Sequence, residues 1–84
     1  MMPIQELLNR LRWDSAFARG DFLIGYYDRV EGKIIQVPLQ QVQHTPGEHF
    51  SLQVTDADGY VHAVPFHRIK EVHKNGQLIW HREH

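Results

Sequence analysis

The chain has no cysteine among its 84 residues. This excludes a disulfide framework and any thiolate metal site, and it leads us to expect a reducing, cytoplasmic setting. No run of apolar residues approaches the length needed to cross a bilayer as a helix. The opening Met1-Met2-Pro3-Ile4-Gln5-Glu6 also lacks the basic and apolar stretches of a secretory signal. Charge of one sign is missing too: the formal net charge is −1. That argues against coating long duplex nucleic acid, a mode that needs many Lys and Arg against phosphates, but is compatible with gripping one or two phosphates. What remains is an ordinary globular composition, 42% hydrophobic and 23% charged. A chain this short has room for one core, so a single domain over residues 1–84 is expected.

Pro3 suits the start of a helix, and Ile4, Leu7, Leu8 and Leu11 fall on one helical face. This spacing predicts an amphipathic helix over about residues 3–12, ended by Trp13-Asp14. Ser15 to Gly20 reads as a connecting turn, and Asp21 to Arg29 is rich in β-forming residues. Turn signals then punctuate the chain at Glu31-Gly32, Thr45-Pro46-Gly47, Asp56-Ala57-Asp58-Gly59 and Asn75-Gly76. Asn75-Gly76 tolerates the positive φ values of a tight hairpin. Ile69 to Lys74 should therefore pair antiparallel with Gln77 to Arg82, with Val72 opposite Ile79 and Glu71 opposite Trp80. The expected architecture is α+β: one N-terminal helix packed on a bent antiparallel sheet or small, partly closed barrel of about five or six strands.

A weak internal repeat aligns Gly32 to Val42 with Gly59 to Ile69 at an offset of 27 residues. Gly, Val and Pro recur, and three further positions stay apolar. Each copy reads as a turn glycine, a strand, a proline that interrupts ladder pairing, and a short loop whose last apolar residue returns to the core. Where the first copy carries Gln40-Gln41, the second carries His67-Arg68. If the scaffold is shared, that exchange marks where chemistry was added.

Arg offers a planar fork of donors suited to phosphate oxygens, and a neighbouring His can donate or change charge near neutral pH. The opposing reading is a surface loop whose Arg68 caps carbonyls or pairs with Asp14 or Asp28. His67 to His84 is locally basic, with Arg68, Lys70, Lys74 and Arg82 against Glu71 and Glu83. Trp13, Tyr26, Tyr27, Phe66 and Trp80 offer stacking surfaces for an unpaired base, although core packing is the default for each tryptophan. Alternation puts Tyr26 and Tyr27 on opposite faces. The seven histidines show no compact ligand spacing, and there is no cysteine to join them, so no metal is expected. Catalysis lacks a complete motif. His49-Phe50-Ser51 matches the His-x-Ser/Thr element of two-histidine phosphoesterases once, without a second copy, and neither a phosphate loop nor a nucleophile elbow occurs. Asp14, Asp21 and Asp28 read as a helix terminator, a strand-start residue and an Arg partner.

Four segments then stand together: Leu11-Arg12-Trp13-Asp14, Tyr27-Asp28-Arg29, Val64-Pro65-Phe66-His67-Arg68-Ile69, and Gly76 with Ile79-Trp80-His81-Arg82. With them the chain resembles the RNA cyclic group end recognition domain family from about residue 3 to 82. That family occurs alone in prokaryotes or joined to RNA-processing and nucleotidyl-transfer domains, and its proposed role is to bind RNA termini that carry a 2′,3′-cyclic phosphate. The resemblance implies a non-catalytic RNA-binding module without a cofactor. In it His67 and Arg68 contact the terminal phosphate, Arg29 and Arg82 assist, and Tyr27 or Trp80 stacks on the last base. Trp13, Asp14, Asp28, Pro65 and Ile69 would hold the scaffold. RNA-processing or nucleotidyl-transfer enzymes are the implied partners. A protein interaction module, such as a homodimer using an exposed strand edge, and a phosphoesterase acting through His67 are the competing readings.

Overall fold

The computed structural model describes residues 2–44 and 50–83. One helix, α1 (Ile4–Trp13), precedes seven strands: β1 (Phe22–Asp28), β2 (Lys33–Pro38), β3 (Val42–Gln43), β4 (Ser51–Thr55), β5 (Val61–Pro65), β6 (Ile69–Lys74) and β7 (Gln77–His81). The strands form two antiparallel sheets, ordered β2-β1-β6-β7 and β3-β4-β5, and the sheets are not closed into a barrel. The α+β expectation therefore holds, with one or two more strands than expected. The expected turn at Thr45-Pro46-Gly47 and His49 of the His-x-Ser match lie outside the described residues.

The helix forms where the apolar spacing requires it. Ile4, Leu7 and Leu8 are buried and Leu11 packs against the same core. Pro3 caps the helix from outside, and its carbonyl accepts from the amides of Glu6 and Leu7. Asp14 ends it. One carboxylate oxygen accepts from the Phe17 amide at 3.0 Å and the other from Arg10 Nε at 3.3 Å. The Phe17 hydrogen bond is the main reason that the carboxyl titrates below its ordinary 3.8.

The internal repeat is a structural repeat. In both copies a strand ends on proline (Pro38, Pro65), a three-residue 3-10 turn follows (Leu39–Gln41, Phe66–Arg68), and the next strand starts on an apolar residue (Val42, Ile69). Each corner carries the chain from one sheet to the other, from β2 to β3 and from β5 to β6. The prolines can end these strands because a residue without an N–H cannot continue a ladder. Val37 and Val64, one residue before each proline, are both buried, and Ile69 is fully buried. These side chains form the inter-sheet core with Phe22, Ile24, Leu52, Val54, Phe66 and Val72.

Asn75-Gly76 makes the tight turn, with φ of 52° and 81°. Asn75 also clamps the start of β1: its amide donates to the Asp21 carbonyl at 2.7 Å, and its side-chain oxygen accepts from the Asp21 amide at 2.9 Å. The expected hairpin register is corrected by one residue. His73 pairs with Leu78, but Val72 pairs with Trp80 and Glu71 with His81, so Ile79 is an extra residue in β7. A second bulge lies in β6, where Gly25 pairs with Glu71 and Tyr26 with Ile69, leaving Lys70 unpaired. This bulge re-phases the alternation, so that Ile69 and Val72, three apart, both face the core.

The two tryptophans divide. Trp80 is 6% exposed, with its indole N–H donating to the Met2 carbonyl at 2.6 Å, which ties β7 to the start of the helix. Trp13 is 73% exposed, at the end of α1. The core default thus holds for Trp80 and is corrected for Trp13, which the last helical turn points away from the core.

Candidate nucleic-acid interface

Tyr27 lies near the end of β1, on the side opposite Tyr26, which packs on the core, and Arg29 opens the turn that follows the strand. Beside them, the second proline corner presents His67 and Arg68, and the β6 bulge adds Lys70. These five residues line one open cleft of about 470 Å³. Among the described residues, no acidic side chain lines it. The structure therefore brings together Tyr27, Arg29, His67 and Arg68, four residues singled out from sequence. Lys70 was visible only as part of a basic tail, because nothing in the residue pattern announces the bulge that carries it here. Its ammonium donates to the His67 carbonyl at 3.3 Å, across the corner.

Arg29, His67 and Arg68 make no side-chain hydrogen bond or ion pair with any described residue. The alternative partners for Arg68 are occupied: Asp14 pairs with Arg10, and Asp28 accepts from the amides of Val30 and Glu31, capping the turn after β1. Asp28 is thus a turn residue rather than an arginine partner. His67 is exposed and Arg68 half-buried.

Arg82 and Trp80 do not join this cleft. Arg82 lies over the Trp80 ring, 5.0 Å from its centroid, and donates through Nη2 to the Phe66 carbonyl at 3.2 Å. The same carbonyl accepts from the Ile69 amide, so Arg82 braces the corner from behind. Its expected part as a phosphate helper is corrected to that of a brace. Trp80 is corrected likewise. A ring buried in the core, with the Arg82 guanidinium over it, is not available for stacking on a base, which leaves Tyr27 as the stacking candidate.

A larger cleft of about 830 Å³ opens between the β1–β2 and β4–β5 hairpins. Tyr27, Arg29 and Arg68 line both clefts and form the ridge between them. At its far side His62 Nε2 lies 2.6 Å from Asp56 Oδ2, while Asp56 Oδ1 accepts from the amides of Asp58 and Tyr60. The hydrogen bond with His62, more than any other contact, holds the Asp56 carboxyl below its ordinary 3.8. Sequence reasoning read Asp56 to Gly59 only as a turn and did not single out His62.

A family model for the MJ1316 RNA cyclic group end recognition domain matches residues 1–82. The chain belongs to this family. It is also 27% identical over 81 residues, 96% of this chain and 94% of the relative, to a protein of Metallosphaera sedula named UPF0248 protein. No solved structure matches the chain significantly. In this family member two of the four motif segments supply the cleft, Tyr27 and Arg29 from one and His67 and Arg68 from another, while Arg82 of a third braces the corner from behind. Among the described residues, no helix is long and apolar enough to cross a membrane.

Proposed function

We propose that the cleft of Tyr27, Arg29, His67, Arg68 and Lys70 binds the terminal phosphate of an RNA, with a 2′,3′-cyclic phosphate as its preferred end. The observation that carries this reading is the convergence of three cations and a histidine in a cleft that no described acidic residue lines, with the guanidinium donors of Arg29 and Arg68 unengaged by any described residue. A cyclic phosphate exposes two non-bridging oxygens and one negative charge, which suits the planar fork of Arg68. Arg29 and Lys70 add positive potential, His67 donates to a ribose oxygen, and Tyr27 stacks on the terminal base. The family description, RNA cyclic group end recognition, supports the same ligand.

In this reading the domain binds and does not catalyse, and it delivers RNA ends to processing or nucleotidyl-transfer enzymes. Titration of RNAs ending in a cyclic phosphate, a linear phosphate or a hydroxyl tests it. Tightest binding is expected for the cyclic end. Arg68→Ala should remove this preference without changing the melting temperature. Equal, weak affinity for all three ends refutes the specific claim, and turnover of the cyclic end on long incubation refutes the non-catalytic one.

A second reading, a protein interaction module, has one observation in its favour: Leu78 and Ile79 are exposed on β7, an edge strand. The bulge at Ile79 counts against pairing with another strand along that edge, since bulges are a common means of blunting one.

A further inference from the structure

The cleft between the two hairpins has a different character from the phosphate cleft beside it. Its floor is apolar, built from Ile35, Val37, Val54 and Val64 with the half-buried ring of Tyr26, and its rim is charged. The acids and cations of that rim differ in their engagement. Asp28 and Asp56 are held by the amides of their own turns, and Asp56 also by His62. Glu31 is the remaining acid. Arg29, Arg68 and Lys33 make no side-chain hydrogen bond or ion pair with a described residue. An apolar floor under free cations suits a ligand with a flat hydrophobic ring and an anionic backbone. The cleft volume of about 830 Å³ falls within the ~300–1,000 Å³ usual for ligand sites.

Continuity decides the occupant. Tyr27, Arg29 and Arg68 border both clefts, so a strand whose terminal phosphate occupies the first reaches the second by crossing this single ridge. We infer that the inter-hairpin cleft is a second nucleotide subsite, taking the unpaired base of the penultimate nucleotide while Arg29 and Lys33 follow the backbone phosphate that joins it to the terminal one. This rests on the phosphate-cleft reading and extends it: the domain recognises a single-stranded end of at least two nucleotides, not an isolated cyclic nucleotide. The Tyr26 phenol, its titration raised above the ordinary 10 mainly by burial and further by the Asp28 and Asp56 charges, offers a donor to the base edge. His62, fixed by Asp56, closes the far side.

The test compares a nucleoside 2′,3′-cyclic phosphate, a dinucleotide ending in the same group, and that dinucleotide with an abasic penultimate residue. A stacked base typically strengthens binding by about tenfold. The intact dinucleotide should therefore bind about tenfold more tightly than the abasic one. Ala63→Met, which adds bulk at an exposed strand position lining the cleft, should remove that gain while preserving the preference for cyclic over linear ends. Equal affinity for intact and abasic dinucleotides, with the cyclic preference intact and lost in Arg68→Ala, overturns the subsite and leaves the phosphate reading standing. Absence of any cyclic preference, with the intact-over-abasic gain present and sensitive to Ala63→Met, overturns the phosphate reading and leaves a single-strand subsite. The intact-against-abasic and cyclic-against-linear comparisons both use the unaltered protein, so a folding defect in a variant cannot imitate either of them.

Discussion

Replacing Arg82 with alanine should destabilise the domain and leave its affinity for RNA ends nearly unchanged, the opposite of what a phosphate-contacting arginine would do. Two interactions are lost. The guanidinium donates to the Phe66 carbonyl in a partly buried setting, and such a charge-assisted bond contributes about 1 kcal/mol once solvent screening is allowed for. Its position over the Trp80 ring contributes about 0.5–1 kcal/mol more. The sum, about 1.5–2 kcal/mol, corresponds to a fall of roughly 6–16 °C in melting temperature for a domain of this size. Thermal and urea unfolding followed by tryptophan fluorescence would measure it, since Trp80 reports directly on the site. Titration of the folded variant with a cyclic-phosphate RNA, well below its melting temperature, should give an affinity within about twofold of wild type, whereas Arg68→Ala should lose about tenfold or more. An Arg82→Ala protein as stable as wild type but tenfold weaker for RNA would refute the bracing role and return Arg82 to the phosphate site.

Three further outcomes follow from the same geometry. A Cβ on Gly25 would stand 2.5 Å from Glu71 Cγ, and Glu71 reaches over this glycine to accept from Gln36 Nε2 at 3.0 Å. Gly25→Ala should therefore cost about 1 kcal/mol in wild type yet be neutral or favourable in Glu71→Ala, a coupling that a double-mutant cycle by urea unfolding would reveal. The lowered titration of Asp56 fixes the sign of its pH dependence: its stabilisation is complete above its ordinary 3.8 and is lost as pH falls through the lower folded value. The gap in urea midpoint between wild type and Asp56→Asn should thus close as pH falls through that range; a gap that widens as pH falls below 3.8 would contradict the assignment. Trp13→Ala should leave stability within about 0.5 kcal/mol of wild type, because the ring is exposed, and a large loss would place it in the core after all.

Much of the scaffold was legible because its signals are local. The Ile4-Leu7-Leu8 spacing gives α1 its buried face, Asn75-Gly76 gives the hairpin turn, and the Gly-Val-Pro repeat gives both sheet-switching corners. The inserted residues were not legible. Lys70 and Ile79 carry no composition cue that separates a bulge from a regular strand position, and each moves every pairing beyond it by one residue. The β6 bulge also explains why Lys70 was missed from the candidate site while its neighbours His67 and Arg68 were found. The tryptophans show a related limit. Both are large and apolar, but only tertiary placement separates Trp80, anchored to Met2, from Trp13, left in solvent at a helix end. The inter-hairpin cleft joins residues from β1, β2, β4 and β5, and no stretch of sequence holds them together.

The central claim is that the cleft of Tyr27, Arg29, His67, Arg68 and Lys70 receives an RNA end, and amide chemical-shift mapping with a short RNA ending in a 2′,3′-cyclic phosphate tests it most directly. The account predicts saturable shifts concentrated at residues 27–29 and 66–70, much reduced in Arg68→Ala and with the linear-phosphate RNA. Shifts confined to residues 77–82 of the β7 edge and to Trp13, or none at all, would contradict it.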